Sequence, residues 1–320
     1  MLTRIAGFIY SAYLAELRRE APGSSRRKKR WRRLRRLLLR LGDPDIVTEI
    51  DGFNFMTPFS SDIILSHFEF PFYDSVLPRL ARAVQAARGS LVMLDIGANI
   101  GAATYLVAKE VPGRTFCIEA NPRFKPSLLN NLAQIPGSRA RFVALNDQPA
   151  RRAVRHSYAL GNSQIEAVAT GGALLEFTTL DAAVAQEPEY RAPNLIKIDT
   201  EGFELKILRG ATQTLLEHRP TLFFEFFPRF IRREGGEPDA LFELLAQQGY
   251  DYFIFYDGGG NLLTAAKGTD AGQLQSLRRY CELRESFFDV AAFHNADPAL
   301  RRNFESGEDE FFGRSLRVPA

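Results

Sequence analysis

The chain has 320 residues, 45% hydrophobic and 25% charged, ordinary values for a globular protein with enough apolar material for a substantial core, so nothing calls for a fibrous or disordered chain. The net charge of +3 hides an asymmetry: residues 1 to 42 hold 13 Lys and Arg against two Glu, a net +11, which leaves −8 for the remainder. Cys117 and Cys281 are the only cysteines, too few for a disulfide framework, and no run approaches the ~20 apolar residues that cross a bilayer.

Ile5, Phe8, Ile9 and Ala12 are spaced for one helical face, which Leu14 and Leu17 extend. Arg4 followed by an apolar run to Ala15 has the outline of a secretion signal, but Arg18, Arg19 and Glu20 follow without a cleavage context, so a cytoplasmic protein is expected. Pro22 to Ser25 break the helix, and Arg26 to Arg40 then packs ten basic residues around Trp31, Leu34 and Leu37 to Leu39. A solvated basic arm, an anionic membrane surface and, more weakly, nucleic acid are the readings of this segment. Trp31, Leu34 and Leu38 fall on one side at helical spacing and favour lipid. The expected division is a basic arm over 1–44, a main domain over 45–294 and a polar tail over 295–320.

Ile46 to Ile50, Asp51-Gly52 and Phe53 to Met56 predict a hairpin. The aromatic cluster from Phe68 to Tyr73, with Glu69 and Asp74, suits core packing or a cover over a ligand. After a helix over 75–87, Leu91 to Leu94 reads as a strand buried on both faces that stops at Asp95. Gly97 and Gly101 then allow a tight turn into a helix from Ala102 to Glu110. Unpaired N–H groups at that helix start favour an anion, and Asp95 can accept from a cation or hydroxyl, so a zwitterion suits both. Asn99 stands where the dinucleotide fingerprint needs a second glycine, which argues against a nicotinamide cofactor. The next strand, Thr115 to Ile118, ends in Glu119, 24 residues beyond Asp95, where a carboxylate takes two ribose hydroxyls. The glycine turn alone is equally a structural βα turn; Asp95 and Glu119 together point to a nucleoside-bearing ligand.

A third strand, Arg141 to Leu145, ends at Asn146 and Asp147. Arg152 to Tyr158 and Leu174 to Thr178 read as extra strands around the turn residues Gly161, Asn162 and Ser163, a surface hairpin or a substrate-facing tip. Asn194 to Ile198 is the fourth core strand, with Asp199 and Glu201 at its carboxyl end, on the rim shared with Asp95 and Glu119. Lys197 and Glu204 flank them, and a structural ion pair of Lys197 with one acid is the alternative to a chemical role. Thr221 to Phe224, ending at Glu225, Tyr252 to Tyr256 and Phe287 to Phe293 complete seven core strands. The four histidines are scattered without ligand spacing, which excludes a zinc motif, but Asp199, Glu201 and Glu225 offer oxygen ligands to a hard divalent ion. Asn295 to Ala320 reads as a polar extension that Phe311 and Phe312 can anchor.

Asp-Ile-Gly-Ala-Asn-Ile-Gly at 95–101, Glu-Ala-Asn-Pro at 119–122, Thr-Leu-Asp at 179–181 and Ile-Lys-Ile-Asp-Thr-Glu-Gly-Phe-Glu at 196–204 resemble FkbM-type methyltransferases, over roughly Asp51 to Phe293. The resemblance implies an α/β class I methyltransferase fold, a Rossmann-like seven-stranded sheet with helices on both faces, here preceded by the hairpin and the basic helical arm. It implies S-adenosylmethionine as cofactor, a zwitterion at one end and a nucleoside at the other. Asp95, Gly97, Asn99, Gly101 and Glu119 become its expected binding residues, and Asn146 and Asp147 the polar groups against adenine. Asp199 or Glu201 becomes the base, with Glu225 orienting the acceptor or sharing a metal. The expected reaction is O-methylation of a sugar, glycan or secondary-metabolite hydroxyl. Methylation of a nitrogen is the alternative, and against a noncatalytic scaffold stands the intact acidic rim.

Overall fold

The computed structural model describes residues 2–19, 26–159, 162–167 and 171–315. Its N-terminal layer consists of helices α1 (Leu2–Arg19) and α2 (Arg26–Leu39), hairpin strands β1 (Asp45–Ile50) and β2 (Phe53–Pro58), and helix α3 (Ile63–Glu69). The hairpin turns at Asp51 and Gly52, both left-handed, as Asp-Gly permits. α1 buries Ile9, Tyr10, Tyr13, Leu14 and Leu17. α2 is fastened to the body by its own arginines. Arg35, 5% exposed, donates to the carbonyls of Phe59 and Ser61, both at 2.9 Å, and pairs with Asp62, while Arg32 donates to the Tyr13 hydroxyl at 2.6 Å and pairs with Glu69. This reverses part of the expected lipid face. Trp31 and Leu38 pack inward on an apolar cluster with Ile46, Phe55, Phe59, Ile100 and Phe124, because the inward face of α2 centres on Arg35; Leu34, Leu37 and Leu41 point to solvent.

Helix α4 (Val76–Arg88) leads to strand β3 (Val92–Ile96), helix α5 (Ala102–Glu110), strand β4 (Arg114–Glu119), helix α6 (Lys125–Leu132) and strand β5 (Ser138–Phe142). The third strand thus stops at Phe142, and Ala144–Leu145 (β6) joins a second sheet with β7 (Ala150–Ala159), β8 (Asn162–Ala167) and β9 (Ala173–Thr178), in the order β6-β9-β7-β8. Gly161, expected at the hairpin tip, lies outside the described residues. Helix α7 (Leu180–Ala185), strand β10 (Leu195–Ile198), helix α8 (Glu204–Arg209) and strands β11 (Thr221–Phe226), β12 (Tyr250–Asp257), β13 (Leu262–Lys267) and β14 (Phe288–His294) follow.

The main sheet has eight strands, not seven, in the order β13-β12-β14-β11-β10-β3-β4-β5; the addition is the edge strand β13. β11, β10, β3, β4 and β5 are parallel, while β14, β12 and β13 are added antiparallel. β3 and β10 are buried at every position, as strands covered on both faces must be. The chain runs from β3 outward through β4 and β5, then returns to β10 on the other side of β3 and continues to β11. That reversal opens a crevice beyond the carboxyl ends of β3 and β10, where open α/β sheets bind ligands.

The expected polar tail is an 18-residue helix, Pro298–Ser315. Leu300, Phe304 and Glu308 form its buried row, and Glu308, 2% exposed, takes two hydrogen bonds from Arg79 of α4, at 2.5 and 2.8 Å. The Arg79 guanidinium lies 3.8 Å over the Phe311 ring.

Candidate active site

The cradle after β3 is shaped by a backbone that only glycine fits. Gly97 has φ 78°, and a Cβ there would lie 1.8 Å from the Asp199 carbonyl oxygen, so β3 and β10 can meet at this height only without a side chain. Asn99 is left-handed and donates its N–H to Glu119 at 2.8 Å; Gly101, also left-handed, starts α5. The other Glu119 oxygen accepts from Asn121 N–H at 2.7 Å. Burial pushes the Glu119 carboxyl up to about 6 despite these backbone bonds.

Asp95 is wholly buried and does not line the cavity. Its carboxylate accepts from the Thr104 hydroxyl at 2.7 Å and lies 3.3 Å from Lys197 Nζ, so it supports the cradle from below. Lys197 is also 3.3 Å from Asp199 and 3.4 Å from the Gly97 carbonyl. Burial pulls the Lys197 pKa down, but Asp95, Asp199 and Asp74 outweigh it and hold the value above the ordinary one. The ion-pair reading of Lys197 therefore describes its place well, and the pair is part of the site.

Asp199 and Glu201 both line the cavity. The Asp199 side chain is half exposed. Glu201 stands at φ 57°, and burial, then Asp199 and Glu204, push its carboxyl to about 8. Glu204, fully buried, folds the intervening turn: one of its oxygens accepts from Thr200 N–H and hydroxyl, both at 2.9 Å, and from Gly202 N–H at 3.3 Å. Burial raises Glu204 to about 7. A Cβ on Gly202 would lie 2.5 Å from the Phe230 carbonyl oxygen, so the Glu-Gly-Phe-Glu run is a geometric requirement of this turn.

Besides Asp95 and Gly101, three expected residues lie outside the cavity wall. Glu225 sits half-buried on β11 opposite Asp289 of β14, outside the cavity wall, and burial followed by the charge of Asp199 holds it well above the carboxylate range. Asn146 is buried against Thr178 and Gly210, and neither it nor Asp147 lines the cavity; Val143, Ala144, Leu145 and Phe177 form that wall instead. Among the described residues no three His, Cys, Asp or Glu are gathered so as to hold a metal ion, so Asp199, Glu201 and Glu225 do not form the ligand set their common rim suggested.

One wall was only half legible. Ile63, Tyr73 and Asp74, supplied by the chain ahead of β3, also line the cavity. Asp74 is left-handed at φ 54° and lies 3.4 Å from His67 Nε2, while His67 Nδ1 donates to the Ile63 carbonyl at 2.8 Å. Of the six non-glycine residues at positive φ among those described, Asp74, Asn99 and Glu201 all line this cavity. Backbone strain of this kind concentrates where ligands are handled. The Thr-Leu-Asp motif is architectural: Thr179 caps α7, and Asp181 accepts from Gln213 and Thr214 N–H at the start of the helix Thr212–His218.

The Methyltransferase FkbM domain matches residues 95–252, which hold the cradle, Glu119 and the Asp199 to Glu204 turn. Over residues 95–252 the chain carries an FkbM methyltransferase domain. It is 28% identical over 125 residues to the hexuronic acid methyltransferase AglP of Haloferax volcanii, over 39% of this chain and 51% of that protein, so it spans about half the length of this curated relative. Among solved structures it is similar to the FkbM methyltransferase of Methylobacillus flagellatus KT, with 19% identity, 61% of this chain, 49% of the other and a TM-score of 0.38. It is also similar to a precorrin-6y C5,15-methyltransferase of Geobacter metallireducens GS-15, with 13% identity, 68% and 86% coverage and a TM-score of 0.36. The FkbM match leaves out the N-terminal layer and, with it, Tyr73 and Asp74.

Proposed function

We propose that this chain transfers a methyl group from S-adenosylmethionine to a hydroxyl of a sugar or glycan. The observation that carries the reading is one cavity holding Glu119 and the Gly97 to Asn99 cradle together with the half-exposed Asp199, ion-paired with Lys197 beside Glu201. The residues present fit the cofactor. Gly97 to Asn99 lay backbone along the cavity wall, Glu119 keeps lone pairs for ribose hydroxyls, and Val143, Leu145 and Phe177 offer an apolar bed for a base. Bound there, S-adenosylmethionine supplies a methyl group on a sulfonium. Asp199 takes the proton of the acceptor hydroxyl, and Glu201, largely protonated at neutral pH, donates a hydrogen bond that positions it. Lys197 fixes Asp199 against the sheet.

The sugar class is supported by the named activity of the Haloferax volcanii relative. A nitrogen acceptor is the second reading, favoured by a wall on which Asp74 and Asp199 stand against the single cation Lys197. Incubation with methyl-labelled S-adenosylmethionine and separated pools of neutral sugars, uronic acids and amines distinguishes them. Label in a sugar pool is the expected result, label in amines selects the second reading, and cofactor binding without transfer to any pool overturns both. Asp199→Asn is expected to keep cofactor affinity while lowering turnover by about 100-fold or more, the usual contribution of a general base.

A further inference from the structure

The N-terminal layer presents to solvent a surface the methyl-transfer reading does not use. With Arg35 and Lys28 turned inward, the outward side of α2 carries Arg27, Lys29, Arg30, Arg33 and Arg36, and Arg40 follows in the turn after it. At about 100° per residue, Leu34 and Leu37 share an arc of about 60°, and Arg33, Lys29 and Arg36 share the neighbouring arc of about 60°, with Arg40 and Leu41 in the turn that follows the helix. The leucines are 37%, 56% and 71% exposed, and α1 adds Phe8 at 70% and Ile5 at 41%. Large apolar side chains left in water beside a row of arginines fit a boundary with apolar and anionic layers, where leucines enter and arginines reach phosphates.

We infer that the outer face of α1 and α2 docks this protein on an anionic membrane surface, through Phe8, Leu34, Leu37 and Leu41 and the arginines beside them. The contact is peripheral, since no helix among the described residues is long and apolar enough to cross a membrane. Charge complementarity commits the surface to lipid rather than to a second copy: residues 1–42 carry a net +11, which an anionic surface of one sign complements, whereas the same face of a second copy would bring like charge against it. Nucleic acid would use the arginines but leave the leucines and Phe8 in water. Unlike the expectation from sequence, the ring of Trp31 takes no part, being packed against the body.

The test is co-sedimentation of the full chain with vesicles of phosphatidylcholine alone and with added phosphatidylglycerol. Binding is expected only to the anionic vesicles and should weaken with salt. Arg33→Gln with Arg36→Gln should lower the partition coefficient about 30-fold, from two basic residues near the surface. Leu34→Ser with Leu37→Ser should lower it while leaving the melting temperature unchanged. Vesicle binding that neither double variant reduces, absence of binding, a dimer dissolved by the leucine variant, or tighter binding to duplex DNA than to vesicles would each overturn the inference.

Discussion

Glu119, Glu204 and Glu201 keep their protons to about 6, 7 and 8 in the folded chain, against an ordinary value of 4.5, and burial is the first cause in each. Between 4.5 and those values the folded form holds more protons than the unfolded one, so stability must fall as pH rises. The contribution of these groups is complete below about 4.5 and is lost through pH 6 to 8. The melting temperature of the ligand-free protein should therefore be lower at pH 8.5 than at pH 5.5, and Glu201→Gln should flatten the upper part of that fall. A melting temperature that rises across this interval would contradict the assignment. Glycine gives a second residue-scale test. Gly97 and Gly89 share a left-handed backbone, φ 78° and 76°, but nothing lies within 4 Å of a Cβ at Gly89, whereas at Gly97 it would strike Asp199. Gly89→Ala should cost about 1–2 kcal/mol of conformational strain. Gly97→Ala should cost more and abolish cofactor binding, read by denaturation and calorimetry.

Elements were legible where burial repeats simply. β3 and β4 carry apolar runs that lead to Asp95 and Glu119, and β10, apolar but for Lys197, is followed by Asp199, so these acids gather at the carboxyl edge of the sheet beside the crevice. β13 escaped because it is an edge strand, Leu-Leu-Thr-Ala-Ala-Lys, with only Ala266 buried. The C-terminal helix escaped for a different reason: its inward row runs Leu300, Phe304, Glu308, so the third member of the stripe is a charge that Arg79, 229 residues earlier, makes tolerable. Glu308→Ala should strand the Arg79 guanidinium, 10% exposed, and destabilise by about 3 kcal/mol, the low end for breaking a buried pair, since Arg79 keeps its bond to the Ser75 carbonyl and the Phe311 ring. A change under about 1 kcal/mol in urea denaturation would mean that the helix end lifts and hydrates the arginine.

At the scale of the molecule, the basic arm packs against the domain from which its charge sets it apart. Ile100, Ala102 and Phe124, at the base of the cradle, belong to the same apolar cluster as Tyr10, Tyr13 and Leu17 of α1. Asn131 on α6 ties the hairpin to the cradle, donating to the Met56 and Ile100 carbonyls at 2.9 and 2.8 Å and accepting from Met56 N–H at 2.8 Å. α3, which packs on α1, positions Ile63 and His67, and these hold the cavity wall at Asp74. This half of the site was not legible as chemistry because it is set by tertiary packing of residues that carry no motif, whereas the other half follows strand ends that do. A chain beginning at Gly42 would expose this cluster and the acceptors of Arg35 at once. It should lose at least about 3 kcal/mol of stability, the burial free energy of one large apolar side chain, and bind S-adenosylmethionine at least about tenfold more weakly although no cradle residue is removed. Calorimetric unfolding and titration of both chains decide it. Equal melting temperatures and equal affinities would make the arm a separate appendage, whereas loss of both together shows that the surface facing outward and the site facing inward are two sides of one folded layer.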